Sequence, residues 1–452
     1  MSRVTPSHSE VREFGTLFFV TVSYRVQVSR PVCHAIVASL WTCVPGFAQE
    51  ILIDVSEKEG EGEVSNLYVP YAFSSETYGL GVGLFASTTG RFQDQLSLYG
   101  AFIGSTNGSA TLMLGVSDFR VPATRRLYAD MFLSIGSYSN LPAYVDDPST
   151  PGSNAAGRND SDPDDLVRGE ATEIWLELPF RYLLPIGTGA AQEHTYYLDR
   201  GLLAEGSTYT ENWNPLESGR TYLGTEIIWK KQEFEIAEQP DQLATSGLAF
   251  SLEYDNTDFS PNPSAGSRQE LRLQRDFGWL GGSHTWTTLE FEGSKYLSLS
   301  PTKNQRQRTL ALNFWTVDTP TWEDGPDGVK HRPPYYEGAT LGGFDRMRAY
   351  PTNRFNDQAA IFYSLEYRVI PAWHPLGGIN QLRPLDLDWW QWVGFFEVGR
   401  VADSWNIEEL HTSMKWDVGL SLRFMARKQI VRLDFAGGPE GFAVLFNMGQ
   451  PF

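Results

Sequence analysis

Residues 441–452 read Gly-Phe-Ala-Val-Leu-Phe-Asn-Met-Gly-Gln-Pro-Phe, so that Phe442, Val444, Phe446, Met448 and Phe452 share one face and Gly441, Ala443, Asn447 and Gly449 the other. A strand half in lipid must show hydrocarbon to the bilayer at every second residue, while its other face, toward a lumen, can be small or polar. A soluble antiparallel sheet with one buried face alternates in the same way. The rest of the chain has to choose between them.

Working upstream, turn-bounded strand candidates recur near 78–88, 92–103, 109–118, 127–136, 171–183, 220–230, 246–256, 267–277, 285–296, 307–316, 358–369, 391–401, 415–424 and 428–436. With the last strand they make about fifteen. A sixteenth near 66–73 or 193–199 would give the even number usual for bacterial barrels. Long Pro/Gly/Asp-rich gaps at 140–170 and 318–356 read as surface loops. After Ala48 no apolar stretch approaches the roughly 20 residues of a spanning helix. Aromatic content is nevertheless 13%, and mean hydropathy is negative. Both suit spanning strands of about 9–11 residues that are only half apolar, with aromatic girdles at the two interfaces. Two soluble β-domains would also fit the length, but the strand candidates run nearly end to end without a linker. The fold class expected is all-β, a transmembrane antiparallel β-barrel of sixteen strands.

The chain opens with what reads as an export leader over 1–48. Arg25 and Arg30 precede an apolar run, Val32 to Val44, which closes at Pro45-Gly46-Phe47-Ala48 and suits cleavage after Ala48. The mature chain is then expected to start at Gln49, and the long stretch before Arg25 suggests a true start downstream of Met1. A buried N-terminal helix is the alternative. Both cysteines, Cys33 and Cys43, lie in this leader, which leaves no disulfide framework and no cysteine metal site. Trp41, bulky where a lipid-attachment box needs a small residue, argues against lipidation of Cys43. The leader holds four arginines and two glutamates, so its removal takes the formal charge from −19 to −21. So acidic a chain is a poor nucleic-acid binder. A short acidic segment at 49–65 then leads into the barrel, 66–452.

Three internal stretches carry more information. Tyr254-Asp-Asn-Thr-Asp-Phe-Ser-Pro-Asn-Pro-Ser-Ala-Gly266 reads as a strand end whose Asp255 and Asp258 are offered to turn amides, followed by a reversal at Pro263 and Gly266. Leu341-Gly-Gly-Phe-Asp-Arg-Met-Arg-Ala-Tyr350 reads as a hairpin tip built on Gly342 and Gly343 and closed by Tyr350. The strands Ser364-Leu-Glu-Tyr-Arg-Val-Ile-Pro371 and Phe395-Phe-Glu-Val-Gly-Arg-Val-Ala-Asp403 each place one carboxylate, Glu366 and Glu397, among apolar residues. A guanidinium in a partly dehydrated lumen needs carboxylates, and a bidentate pair is strong enough to pin a loop.

These stretches, with the final strand and its terminal Phe452, resemble the outer-membrane protein 85 superfamily, the BamA/TamA-type barrels also called bacterial surface antigens. The resemblance covers 246–452 well and 66–245 more loosely. It implies that the sixth outer loop folds back into the lumen and that Arg348 is its locking arginine, held by Glu366 and Glu397. Thr257 stands where the family usually has arginine, Ala349 where it has glycine, and Glu397 where aspartate is commoner. The periplasmic POTRA repeats usual in the family are not seen in the sequence, so the chain reads as a short member.

Tyr78-Gly-Leu-Gly-Val-Gly-Leu84 puts Gly79, Gly81 and Gly83 on one strand face, which leaves that side weakly packed. In barrels of this family, a weak seam beside the last strand opens sideways and templates an incoming strand. Alternatively, the glycines make room for the inward loop. The acidic run Asp160-Ser-Asp-Pro-Asp-Asp165 departs from a calcium loop, with Asp165 where glycine belongs and Ala171 where the bidentate acid belongs. It is read as solvated loop charge. The mature histidines, His194, His284, His331, His374 and His411, form no catalytic motif, and there is no Gly-x-Ser-x-Gly elbow. We therefore expect no enzyme, catalytic residue, metal or cofactor. The function implied is assistance to insertion or translocation of client barrel proteins or lipids in the bacterial outer membrane. The chain would act as a monomer in the lipid bilayer, with a periplasmic partner protein recruiting clients. A passive channel and a purely structural barrel remain the alternatives.

Overall fold

A computed structural model describes residues 54–55, 64–75, 77–145, 156–191, 195–196, 198–204, 212–236, 239–282, 284–323, 331–376, 379–427 and 429–452. The leader, its cysteines, the cleavage site at Ala48 and the acidic run 57–63 lie outside them. Sixteen strands form one sheet in chain order, each antiparallel to the next. They are β1 Ser65–Ser75, β2 Gly79–Thr89, β3 Ser97–Ser105, β4 Ala110–Arg120, β5 Leu127–Ala143, β6 Val167–Leu183, β7 Arg220–Ile236, β8 Gln239–Asp255, β9 Gly266–Asp276, β10 Thr287–Ser298, β11 Gln305–Asp318, β12 Ala359–Pro371, β13 Leu387–Ala402, β14 Lys415–Ala426, β15 Gln429–Gly438 and β16 Gly441–Met448. The sixteenth strand is thus the 66–73 candidate. The 193–199 candidate supplies only short pairings, Thr195–Tyr196 alongside Asp54–Val55 and Leu198–Asp199 with Leu202–Leu203.

The strand read at 92–103 begins later, at Ser97, because the amide of Gly90, at φ 83°, donates to the Leu96 carbonyl and closes a turn first. Conversely, β5 to β8 are each 17 residues long, well beyond the roughly 9–11 needed to cross. Their ends carry polar residues and prolines such as Pro142 and Pro240.

Faces settle what kind of sheet this is. Leu80, Val82 and Leu84 of β2 are 48–58% exposed, and Leu271, Leu273, Val418, Leu420, Phe442 and Val444 are exposed on other strands. On the opposite face Glu366, Glu397, Asp417, Arg423, Arg432 and Asp434 are fully buried. A water-soluble domain does the reverse. Hydrocarbon outside and charge inside is the distribution of a barrel whose solvent is the bilayer. No helix among the described residues is long and apolar enough to cross a membrane.

One expectation fails at the C-terminus. The lipid-facing strand read through 452 stops at Met448, and Gly449, at φ 77°, turns the chain inward. Met448 and Phe452 are therefore buried rather than presented to lipid, while Phe442 and Val444 keep the outward face. The Gly449 amide donates to the Ile430 carbonyl and Pro451 has no amide to offer. The strand ladder has no way to continue.

Consecutive antiparallel pairing sends alternate connections to opposite rims. The near rim, where β1 starts and β16 ends, carries the 184–219 insertion and the 256–265 turn. The far rim carries the connections 144–166, 319–358 and 439–440. In the near-rim turn, Gly266 has φ 97°, and a Cβ there would overlap the Asn256 carbonyl oxygen. Gly266→Ala should lower barrel stability by about 1–3 kcal/mol, read as a lower temperature for loss of the compact band on gels.

Candidate functional site

The lumen is organised around the loop that connects β11 to β12. At its tip Gly342 and Gly343 adopt φ 107° and 121°, and their amides donate to the Arg346 and Tyr350 carbonyls. The left-handed turn that a glycine at position 349 would permit falls instead on Met347, at φ 59°, which leaves Ala349 free of strain. Its amide donates to Asp417 Oδ2 at 3.0 Å, and Tyr350 donates through its hydroxyl to the Trp416 carbonyl at 3.1 Å.

Between these anchors Arg348 is fully buried. Its Nε and its backbone amide both donate to Glu397, each at 2.9 Å, and Nη2 donates to Glu366 at 2.9 Å. Asp434 lies 3.6 Å from Nη1, and the guanidinium sits 3.5 Å from the Phe395 ring centroid. The three residues singled out from the sequence are in direct contact. Glu366 and Glu397 project from β12 and β13, next to each other in the sheet, which is why one guanidinium reaches both.

Several partners were missed. Glu366 also holds Arg368 and Arg423, each at 2.7 Å, and Asp434 holds Arg432 at 3.1 Å. Arg432 in turn bonds Asp345 of the loop at 3.0 Å. Farther along the loop, Arg346 pairs with Glu292 of β10 at 3.0 Å and lies 4.0 Å over Trp315. Glu337 meets Lys230 of β7 at 2.6 Å, and Tyr335 donates to Gln232 at 2.9 Å. The loop is therefore tied to walls on both sides of the lumen. At the far rim Arg354, also fully buried, pairs with Glu440 at 2.8 Å and donates to the hydroxyl and carbonyl oxygens of Ser161. The signal available in the sequence was parity: Asp417, Ser421 and Arg423, like Arg432 and Asp434, fall on the alternate positions of the face away from lipid.

The connection 156–166, which carries the acidic run, folds over this loop: the Asn356 amide donates to the Gly157 carbonyl at 2.8 Å. Asp162 and Asp165 accept bonds within their own turn. No cluster of three or more His, Cys, Asp and Glu suited to a metal occurs among the described residues.

The near-rim turn is built by its two aspartates. Asp255 accepts from the Thr257 amide and hydroxyl, each at 2.7 Å, and pairs with Arg220 of β7. A cation from the neighbouring strand thus stands beside the position where Thr257 replaces the family's arginine. Asp258 accepts from the amides of Phe259, Ser264 and Ala265 at 3.0, 2.8 and 3.1 Å. Burial pushes its carboxyl up, and these bonds oppose the shift. Tyr254 reaches the Ser218 hydroxyl at 3.4 Å, and Pro263 is buried in the turn.

Beside the loop lies a cavity of about 440 Å³, lined by Glu226, Glu253, Glu270, Glu290 and Glu292 with Arg268, Arg272 and Arg346. Near-rim hairpin residues Leu198, Leu202 and Leu203 pack on Phe259, Ile370, Trp389, Met425 and Ile430.

At the seam a second correction arises. Gly79, Gly81 and Gly83 lie on β2, one strand in from the edge, because β1 pairs with them as the first arm of a hairpin. Gly79 serves a turn at φ 63°. A Cβ on Gly83 would overlap the ring of Tyr71, so this glycine seats an aromatic side chain rather than the inward loop. That ring stacks on Phe446 of β16, centroids 5.3 Å apart and planes 21° apart. Among the described residues no strand ladder joins β1 to β16. Contacts that cross the gap include Tyr71 on Phe446, a cluster of Leu67 and Phe85 with Ala426 and Met448, and bonds from Ser65 to the Arg427 carbonyl and from Ser87 of β2 to Gln429 of β15.

Comparison with known proteins places this architecture. The model of the Omp85 superfamily domain matches residues 186–452. No curated protein matches the sequence. Among solved structures the chain is similar to BamA from Haemophilus ducreyi lacking POTRA domains 1–3, at 11% identity and TM-score 0.45, over 86% of this chain and 69% of that one. It is also similar to CdiB from Acinetobacter baumannii, at 11% identity and TM-score 0.48, over 86% of this chain and 59% of that one. CdiB from Escherichia coli, at 10% identity and TM-score 0.51 over 86% of this chain, shares the fold. The chain spans less than two thirds of either CdiB, 59% and 62%. With more than half of its length matched by the family model, the chain belongs to the Omp85 superfamily.

Proposed function

We propose that the chain is a bacterial outer-membrane barrel that assists the insertion or translocation of client barrel proteins or lipids by opening between β1 and β16, without catalysing covalent chemistry. The observation that supports this reading is the seam, where among the described residues no ladder joins β1 to β16 while every other neighbouring pair of strands is joined by one. A ladder of eight or more residues must break many backbone bonds at once inside a bilayer, where each unsatisfied group costs several kcal/mol. Stacked rings and a small apolar cluster part at far lower cost. An edge so exposed is also a template for an incoming strand.

The loop network supports the same reading. A barrel that parts at one seam needs the adjoining wall held together, and Arg348, with Glu366, Glu397 and Asp434, cross-braces β12, β13 and β15 beside the moving edge. A passive channel fits less well, since the inward loop is tied to the wall on β7, β10, β12 and β13. A periplasmic partner would recruit clients from the near rim.

The reading is tested by reconstituting the folded chain in lipid vesicles with an unfolded outer-membrane barrel as client. Client folding, read by protease protection, should be faster than in empty vesicles, while ion conductance stays low. Steady conductance with no acceleration would favour the channel.

A further inference from the structure

We propose that the outer face of β11 to β14 at the near rim is a binding site for one anionic glycerophospholipid, with Arg308 taking its phosphate and an opening at Gly394 taking one acyl chain. The inference is independent of the insertion reading. It starts from a cation on a face that is otherwise hydrocarbon. Outward parity on β11 runs through Leu310, Leu312 and Phe314, and Arg308 continues it at the near end. The guanidiniums of the lumen are held by carboxylates, Arg348 and Arg423 by Glu366 at 2.9 and 2.7 Å. Arg308 has no ion pair among the described residues. Its Nε donates to the Tyr367 hydroxyl at 2.9 Å and its Nη1 to the Ser300 carbonyl at 3.1 Å, with the guanidinium 5.7 Å from the Tyr367 ring centroid. Nη2 is left for a ligand, and a phosphate oxygen is the acceptor a guanidinium suits best.

The surroundings place this cation at headgroup depth, where tryptophan and tyrosine collect. Trp392 of β13 packs edge-on to Tyr367 of β12, centroids 5.7 Å apart. Trp390 meets Trp373 at 4.9 Å and donates through its indole N–H to the Trp373 carbonyl at 2.8 Å, while Trp373 itself is 58% exposed. Lys303, exposed in the 299–304 connection, adds a second cation without an ion pair among the described residues. Arg306 is engaged elsewhere: it donates to the carbonyls of Asp199 and Arg200 at 3.0 and 3.1 Å, and the acids of this rim, Asp199 and Asp388, act on it. Arg308 and Lys303 therefore favour an anionic headgroup over a zwitterionic one, whose ammonium they would repel.

The second observation lies one step deeper. Arg308, Val369 and Trp392 form one row across the sheet. The next row toward the bilayer centre, ~7 Å on, is Leu310, Tyr367, Gly394 and Leu420. Gly394 interrupts these large side chains, and a Cβ built on it would meet no atom within 4 Å. A glycine inside a strand marks a place where something from outside the sheet comes close. A hydrocarbon chain descending from a phosphate on Arg308 reaches this opening directly. The Tyr367 hydroxyl, an acceptor toward Arg308, keeps its own hydrogen for an ester oxygen between the two.

The test uses the complete chain, folded and purified in detergent, with dioleoyl phosphatidylglycerol and dioleoyl phosphatidylcholine as probes in native mass spectrometry. Wild type should retain one phosphatidylglycerol at least about tenfold more tightly than phosphatidylcholine, and excess sn-glycerol 3-phosphate should not displace it. Arg308→Gln should bring the two lipids to equal, weak retention. Gly394→Leu, whose side chain enters open space and leaves the ladder intact, should weaken phosphatidylglycerol about tenfold while keeping the preference. The comparison of the two lipids on wild type decides even where Arg308→Gln does not fold. Equal retention by wild type would overturn the proposal and leave these cations to an acidic protein partner. Displacement by glycerol phosphate, an unchanged preference in Arg308→Gln, or full retention by Gly394→Leu would overturn it as well.

Discussion

Glu366→Ala should be the most damaging single change in the lumen, with loss of most of the folded barrel on refolding and a large drop in the temperature at which the remainder unfolds. One carboxylate here neutralises three buried guanidiniums, those of Arg348, Arg368 and Arg423, at 2.9, 2.7 and 2.7 Å. Breaking an ordinary buried pair by removing one partner costs about 3–5 kcal/mol, because the other charge stays uncompensated. Here three charges lose a partner, and Arg368 and Arg423 project from strands that cannot move away. Glu366→Gln, which keeps the shape but not the charge, should fall between wild type and alanine. A wild-type unfolding temperature for Glu366→Ala would show that the lumen is wet enough to screen these charges.

Arg348→Ala should have a different result: a folded barrel with a released loop. The sixteen-stranded ladder includes no residue of the 342–354 tip, so the wall persists, and Glu366 retains two cationic partners. Asp434 keeps Arg432 at 3.1 Å, whereas Glu397 loses its cation, at about 3–5 kcal/mol for the uncompensated buried charge. That exceeds what the remaining contacts of the tip, such as Ala349 with Asp417 and Tyr350 with Trp416, would hold against. Limited proteolysis should show new cleavage within 331–357 while the barrel band remains compact. An unchanged cleavage pattern would mean that Arg346 and Arg354 hold the loop without Arg348.

The two variants separate what the residues themselves advertise from what only the fold reveals. Period-two alternation and turn residues marked fifteen strands, and the final strand announced lipid on one face through Phe442 and Val444. Arg348, Glu366 and Glu397 were legible because their flanking residues form recognisable stretches. Arg368, Arg423, Arg432 and Asp434 were not, since a charge in a strand looks the same whether it faces water or a lumen until its neighbours' exposure is known. The tail was misread for a related reason. Phe452 falls on the right parity for lipid, but parity is meaningful only while the ladder continues, and Gly449 ends it. For the same reason, the glycines of β2 suggested a bare seam before Tyr71 was seen lying on Gly83.

The seam itself gives the decisive measurement. Cysteines replacing Tyr71 and Phe446, whose rings now stack at 5.3 Å, would be joined by a short reducible bis-thiosulfonate linker in a chain with Cys33 and Cys43 changed to serine. In vesicles, the joined barrel should lose its acceleration of client folding and regain it when the linker is reduced, and the unjoined double variant should remain active throughout. Full acceleration by a barrel shown to be quantitatively cross-linked would contradict lateral opening between β1 and β16.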